Sequence, residues 1–161
     1  MKRRDTLLGL LLLGLVLAGV FWARGRSGPE AGAEGTAGEL PDVTRADAEA
    51  DLGDVRIRLA VTPRPITAFS EHRWQVRAEA EGAVAPLTDG RISFEMRMPM
   101  GDHRYALLPT ADGWAEAAVV LPSCPSGQRR WFATVEGTVA GRPHSARFQV
   151  DLALPGPPPA P

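Results

Sequence analysis

Apolar and polar residues alternate along much of the middle of this chain. Between residues 55 and 62, Val55, Ile57, Leu59 and Val61 alternate with Arg56, Arg58, Ala60 and Thr62. Residues 74–81 repeat the pattern, Trp74, Val76, Ala78 and Ala80 against Gln75, Arg77, Glu79 and Glu81. In residues 91–98, Ile92, Phe94, Met96 and Met98 oppose Arg91, Ser93, Glu95 and Arg97. Successive side chains of a strand point to opposite faces, so each run predicts a β-strand with one face on a core and one in water. Shorter runs over residues 105–108, 114–121, 131–135 and 146–152 complete seven expected strands. Thr110-Ala111-Asp112-Gly113 carries the Asp-Gly signal of a hairpin. Proline closes several other runs, at Pro63, Pro65, Pro99, Pro122, Pro125 and Pro143. No stretch in this region shows a useful helical stripe, and an all-β, immunoglobulin-like antiparallel β-sandwich fits the beat best.

Both ends follow other rules. An apolar run, broken only by small Gly and Ala residues, covers residues 7–22 behind Lys2, Arg3 and Arg4. That length sits near the lower end of the roughly 17–25 residues that span a bilayer core. Phe21 and Trp22 close the run and Arg24 and Arg26 follow, which suits an interfacial anchor better than a cleavage site. Residues 1–24 are therefore expected to be a signal anchor and single transmembrane helix, with a cleaved signal peptide as the alternative. The excess of basic residues before the run keeps the N-terminus cytoplasmic. The rest of the chain then lies in the periplasm or on the outer face of the inner (cytoplasmic) membrane. Residues 25–53, rich in Gly, Ala and Glu, read as a flexible linker, with residues 46–50 at most a helical turn. Residues 54–153 form the expected sandwich domain. Residues 154–161, Leu-Pro-Gly-Pro-Pro-Pro-Ala-Pro, form a proline-rich tail with few backbone donors.

Composition narrows the function classes. The net charge of −1 and the isoelectric point near 6.3 give no basic surface for nucleic acid. A single cysteine, Cys124, excludes a disulfide within the chain. The chain contains no CxxC pair and no phosphate-binding glycine loop, and no nucleophile–base arrangement is apparent, so an enzyme is not expected. His72 and His144 read as surface or strand-edge histidines, Asp102 and Asp112 as turn residues.

The chemistry that remains lies between Met96 and His103. Met98, Met100 and His103 follow one another around the Pro99-Met100-Gly101 turn. A Met-x-Met pair on one strand face would place two sulfurs about 7 Å apart, within reach of one ion for flexible side chains. The same parity makes core packing the plain alternative for Met96 and Met98. Cys124, between Pro122 and Pro125 in a predicted loop, is a soft ligand, a buried bystander or half of a disulfide with another protein. Thioether, thiolate and imidazole donors together select Cu(I) over harder cations, which makes Met98, Met100, His103 and Cys124 the candidate metal ligands.

An N-terminal anchor, a linker and one small sandwich bearing Met98-Pro99-Met100-Gly101 and Asp112-Gly113-Trp114 resembles the FixH and YtkA-like group. The Leu121-Pro122-Ser123-Cys124 segment departs from that pattern. The resemblance implies a membrane-anchored or exported domain serving cytochrome oxidase assembly or copper handling. Met98 and Met100 are the residues it makes suspect. Its expected partner is another membrane or periplasmic protein, such as an oxidase subunit or a copper chaperone. The alternative is an anchored interaction module with no metal, binding another envelope protein through a sheet face or edge.

Overall fold

In residues 55–62 the alternation becomes burial: Val55, Ile57, Leu59 and Val61 are inside, while Arg56 and Arg58 face solvent. The same physics organises the residues that the computed structural model describes, 39–153. They form ten strands and no helix. The strands are β1 (Ala48–Asp51), β2 (Val55–Thr62), β3 (Glu71–Ala80), β4 (Ala83–Ala85) and β5 (Leu87–Glu95). Then come β6 (His103–Ala106), β7 (Leu108–Pro109), β8 (Ala115–Val120), β9 (Arg130–Val139) and β10 (Arg142–Asp151).

Two antiparallel sheets form a β-sandwich. One runs β1-β2-β3-β8-β7, with β4 also paired to β3; the other runs β10-β9-β5-β6. Their inner faces meet in one core that includes Ile57, Leu59 and Trp74 from the first sheet and Ile92, Trp131 and Phe148 from the second. The Trp74 and Phe94 rings bridge the sheets edge to face, with centroids 4.7 Å apart. Fully burying an aliphatic or aromatic side chain of this size stabilises the fold by roughly 1.5–3 kcal/mol.

One end of the sandwich is closed by tight hairpins. Glu81-Gly82 between β3 and β4, and Ala140-Gly141 between β9 and β10, have positive φ at both central positions. That is the type I′ geometry, whose twist matches the flanking strands and whose second position suits glycine. Close packing reinforces this end. A Cβ placed on Gly137 would lie 2.5 Å from a methyl carbon of Leu87, and one on Gly90 would lie 3.0 Å from the other.

Several expectations need correction. There are ten strands where about seven were expected, because short β1, β4 and β7 pair at sheet edges. The linker was drawn to residue 53, yet Val43 is fully buried and Asp42 bridges Gln149, so the fold reaches back at least to Pro41. The central strand stops at Glu95, three residues short of Met98. The Asp112-Gly113 turn does join β7 to β8, which pair as a hairpin. The expected membrane helix, residues 1–24, and the tail, residues 154–161, lie outside the described residues. Among the described residues no helix is long and apolar enough to cross a membrane.

Candidate functional site

The opposite end of the sandwich is built from long connections. Pairing of Glu95 with Phe132 and of His103 with Phe94 brings the end of β5, the start of β6 and the start of β9 together. Leaving β5, Met96 turns into the core, Arg97 turns out, and Met98 keeps 37% of its surface exposed. Residues 121–129 carry the chain from β8 in one sheet to β9 in the other. Their first residue, Leu121, is buried and accepts a bond from the backbone N–H of Phe69 at 2.9 Å.

Cys124 opens a tight turn in that connection, where the Gly127 N–H donates to the Cys124 carbonyl at 3.0 Å. Proline at the second position and glycine at the fourth are what such a turn favours. The turn aims the thiol at the other loop: Cys124 Sγ lies 3.0 Å from Met98 Sδ. Ser126 Oγ lies 3.0 Å from the same thiol and donates to Met98 Sδ at 3.5 Å. The Ser126 hydroxyl, helped by the backbone N–H groups of Ser126 and Gln128, holds the Cys124 thiol below its ordinary pKa against the opposing effect of burial. A thiolate is the form that binds metal, so this loop favours the ligating state.

His103 and Met100 make a second pair. The His103 ring sits 3.0 Å from the Met100 carbonyl oxygen through Nε2 and meets the Trp131 ring edge to face, with centroids 5.4 Å apart. Trp131 is fully buried, so one side of the imidazole rests on the core. The Met100 side chain is half-buried and packs against that core. Gly101, with φ at +95°, turns the chain back so that His103 can reach the carbonyl three residues earlier.

The four expected ligands are thus gathered as two contacting pairs, Met98 with Cys124 and Met100 with His103, at one end of the sandwich, three on loops and His103 at the first position of β6. Three readings change. Met96 and Met98 do not share a strand face, since β5 has ended before either. Cys124 is covered, with only 7% of its surface exposed, although it lies in a loop. His72 is no surface residue: it is 3% exposed, with Nδ1 donating to the Pro63 carbonyl at 2.9 Å and Nε2 accepting from the Thr67 N–H at 3.1 Å. It clasps the loop at residues 63–67. Ser126, which contacts both sulfurs, escaped the sequence reading; its signal is the Cys-Pro-Ser-Gly turn itself.

Among the described residues no three His, Cys, Asp or Glu side chains converge as a metal site. The arrangement at this end differs in kind, because half of its candidate donors are thioethers. Comparison with protein-family models, with curated proteins and with solved structures gave no match for this chain.

Proposed function

We propose that this chain is a membrane-anchored periplasmic accessory protein that holds Cu(I) transiently as cargo, in copper handling or respiratory oxidase assembly. One observation carries the reading: the Met98 and Cys124 sulfurs, 26 residues apart in sequence, lie 3.0 Å apart in space. The donor chemistry fits. A thioether and an acidified thiol are soft ligands suited to Cu(I), with Met100 on the adjoining turn and His103 at the start of β6. Partial exposure of Met98 leaves a way for the ion to come and go. Strand order supports an immunoglobulin-like assignment, since β2-β3-β8-β7 facing β10-β9-β5-β6 corresponds to A-B-E-D facing G-F-C-C′. The apolar run over residues 7–22 would anchor the chain in the inner membrane, and the segment after it would let the domain reach an oxidase subunit or a copper chaperone. The role is that of a carrier of the FixH and YtkA-like kind, and we assign no enzymatic activity.

The test is anaerobic competition for Cu(I) between the full chain and a colorimetric chelator. One equivalent bound, with affinity lost in Met98→Leu and in Cys124→Ser, is the expected result. Absence of binding would overturn the reading.

A second reading, a metal-free anchored interaction module, draws on the open sheet edges. Strand β6 pairs on one side only, β7 covers only Ala115 and Glu116 of β8, and Phe69, Leu108 and Val120 are exposed. An extended partner segment could add to such an edge. Co-purification of an envelope protein that survives both substitutions would favour this alternative.

A further inference from the structure

His103 carries information that the sulfur pair does not. A carbonyl oxygen can only accept a hydrogen bond, so the contact between Nε2 and the Met100 carbonyl puts the ring proton on Nε2. In the neutral ring the lone pair then belongs to Nδ1. Among the described residues Nδ1 has no hydrogen-bond partner. The ring is held from two further directions, by its edge-to-face contact with Trp131 and by the pairing of its backbone with Phe94. Metal-binding histidines characteristically donate their other ring N–H to a carbonyl or carboxylate, which fixes the tautomer and makes the free nitrogen a better donor. Met100 supplies that carbonyl, while its thioether is half-buried against the core.

We infer that the soft site is a three-donor set of Met98 Sδ, Cys124 Sγ and His103 Nδ1, in which Met100 acts through its main-chain carbonyl as a positioning residue and not through its sulfur. The inference rests on the carrier reading above and sharpens it by dividing the two methionines of the Met-Pro-Met turn between different tasks. Met98 faces the thiol, and Met100 faces the core and orients the imidazole. Two sulfurs and one imidazole nitrogen suit a monovalent soft cation.

The experiment is NMR on the full chain in detergent, with 15N-labelled histidine and 13C-methyl methionine, titrated with Ag(I) as a redox-inert probe. Before addition His103 should show the Nε2–H tautomer. One equivalent of Ag(I) should move the His103 Nδ1 and Met98 methyl resonances, leave Nε2 protonated, and leave the Met100 methyl in place. Met100→Leu should then keep affinity within a few fold, whereas His103→Ala should lose about 10–100-fold, the range for perturbing a ligand's surroundings or more. A shift at Nε2, a Met100 methyl that follows Ag(I), or a Met100→Leu loss equal to that of Met98→Leu would overturn the inference. If the Met98 methyl moves and His103 does not, the three-donor set falls while the carrier reading stands. No shift at any sulfur removes both.

Discussion

The two ends of this sandwich solve opposite problems. At the hairpin end, residues adjacent in sequence meet in space: Val139 with Arg142 across Ala140-Gly141, and Ala80 with Ala83 across Glu81-Gly82. Leu87 sits against Gly137 and Gly90 with no room for one more carbon. At the loop end, the decisive contact joins distant residues, Met98 with Cys124, while His72 clasps the neighbouring loop through Pro63 and Thr67. Prolines bracket these loops at residues 63, 65, 99, 122 and 125. A hairpin end made of local turns is closely packed and holds none of the four candidate soft donors. An end where a crossover loop meets a long strand-to-strand connection can bring soft donors together, because the two arrive from different parts of the chain. The difference teaches where a small β-domain can place a site: on the connections that its rigid sheets hold in register.

Substitutions should separate the ends. Cys124→Ser at the loop end should weaken Cu(I) binding by more than about 100-fold, equivalent to about 2.7 kcal/mol, with a much smaller change in urea unfolding. Equal losses in both measurements would make the loop end as structural as the other. Gly137→Ala at the hairpin end should do the reverse. Its new methyl would collide with Leu87, so about 1–3 kcal/mol of stability should be lost in a urea melt while metal affinity holds.

Gly101→Ala tests the boundary between the two behaviours. At φ +95° any side chain is strained, by about 1 kcal/mol, and the nearest atom to the new methyl is His103 Nε2 at 4.0 Å. Chelator competition should show about a tenfold weaker Cu(I) affinity alongside that modest melt shift. Phe69→Asn should raise stability by about 0.5–1 kcal/mol. Phe69 is 70% exposed and holds φ at +59°, which asparagine tolerates better than a bulky aromatic. A loss in the melt would mean that the Phe69 ring packs on something that matters.

The smallest effect concerns acid. Arg130 grips Asp151 with two bonds, Nε to Oδ1 at 2.9 Å and a terminal nitrogen to Oδ2 at 2.8 Å, and these hold the Asp151 carboxyl below its ordinary value. A carboxylate with a depressed folded pKa adds stability above its unfolded value, near about 3.9, and loses it as pH falls through the folded value. The pair is partly exposed, so Asp151→Asn should cost only about 0.5 kcal/mol at neutral pH. The difference from the parent chain should shrink as pH falls below the unfolded value and vanish once pH has passed below the depressed folded value.

Much of the sheet structure was legible because strands β2, β3 and β8 carry their burial pattern openly. Strand β1 was not, since Ala48-Glu49-Ala50-Asp51 has weak strand propensity and becomes a strand only by pairing with β2. Strand β9 was expected over residues 131–135 yet runs on to Val139 through Gly137, whose missing side chain is the space that Leu87 fills. Strand β5 begins at Leu87 and passes a bulge between Thr88 and Arg91, with Asp89 at φ +51°, which disguises the alternation. At the loop end Met98, Met100 and His103 could be named because they are neighbours in sequence. That Cys124 would meet Met98 depends on the β5–β6 connection and the β8–β9 crossover reaching the same point, which no local pattern encodes. His72 was misread for a related reason: its partners, Pro63 and Thr67, come from a loop whose path only the folded chain defines.

The contact between Trp131 and His103 gives the domain an optical reporter. A fully buried indole whose ring meets the imidazole at 5.4 Å emits from a fixed apolar environment, with a potential quencher at its edge. A heavy soft cation held on that imidazole would shorten the excited-state lifetime of Trp131. In Trp131→Phe, the decrease in emission on adding Ag(I) should disappear while binding persists. Occupancy of the loop end could then be followed in real time in the purified protein, without any added label.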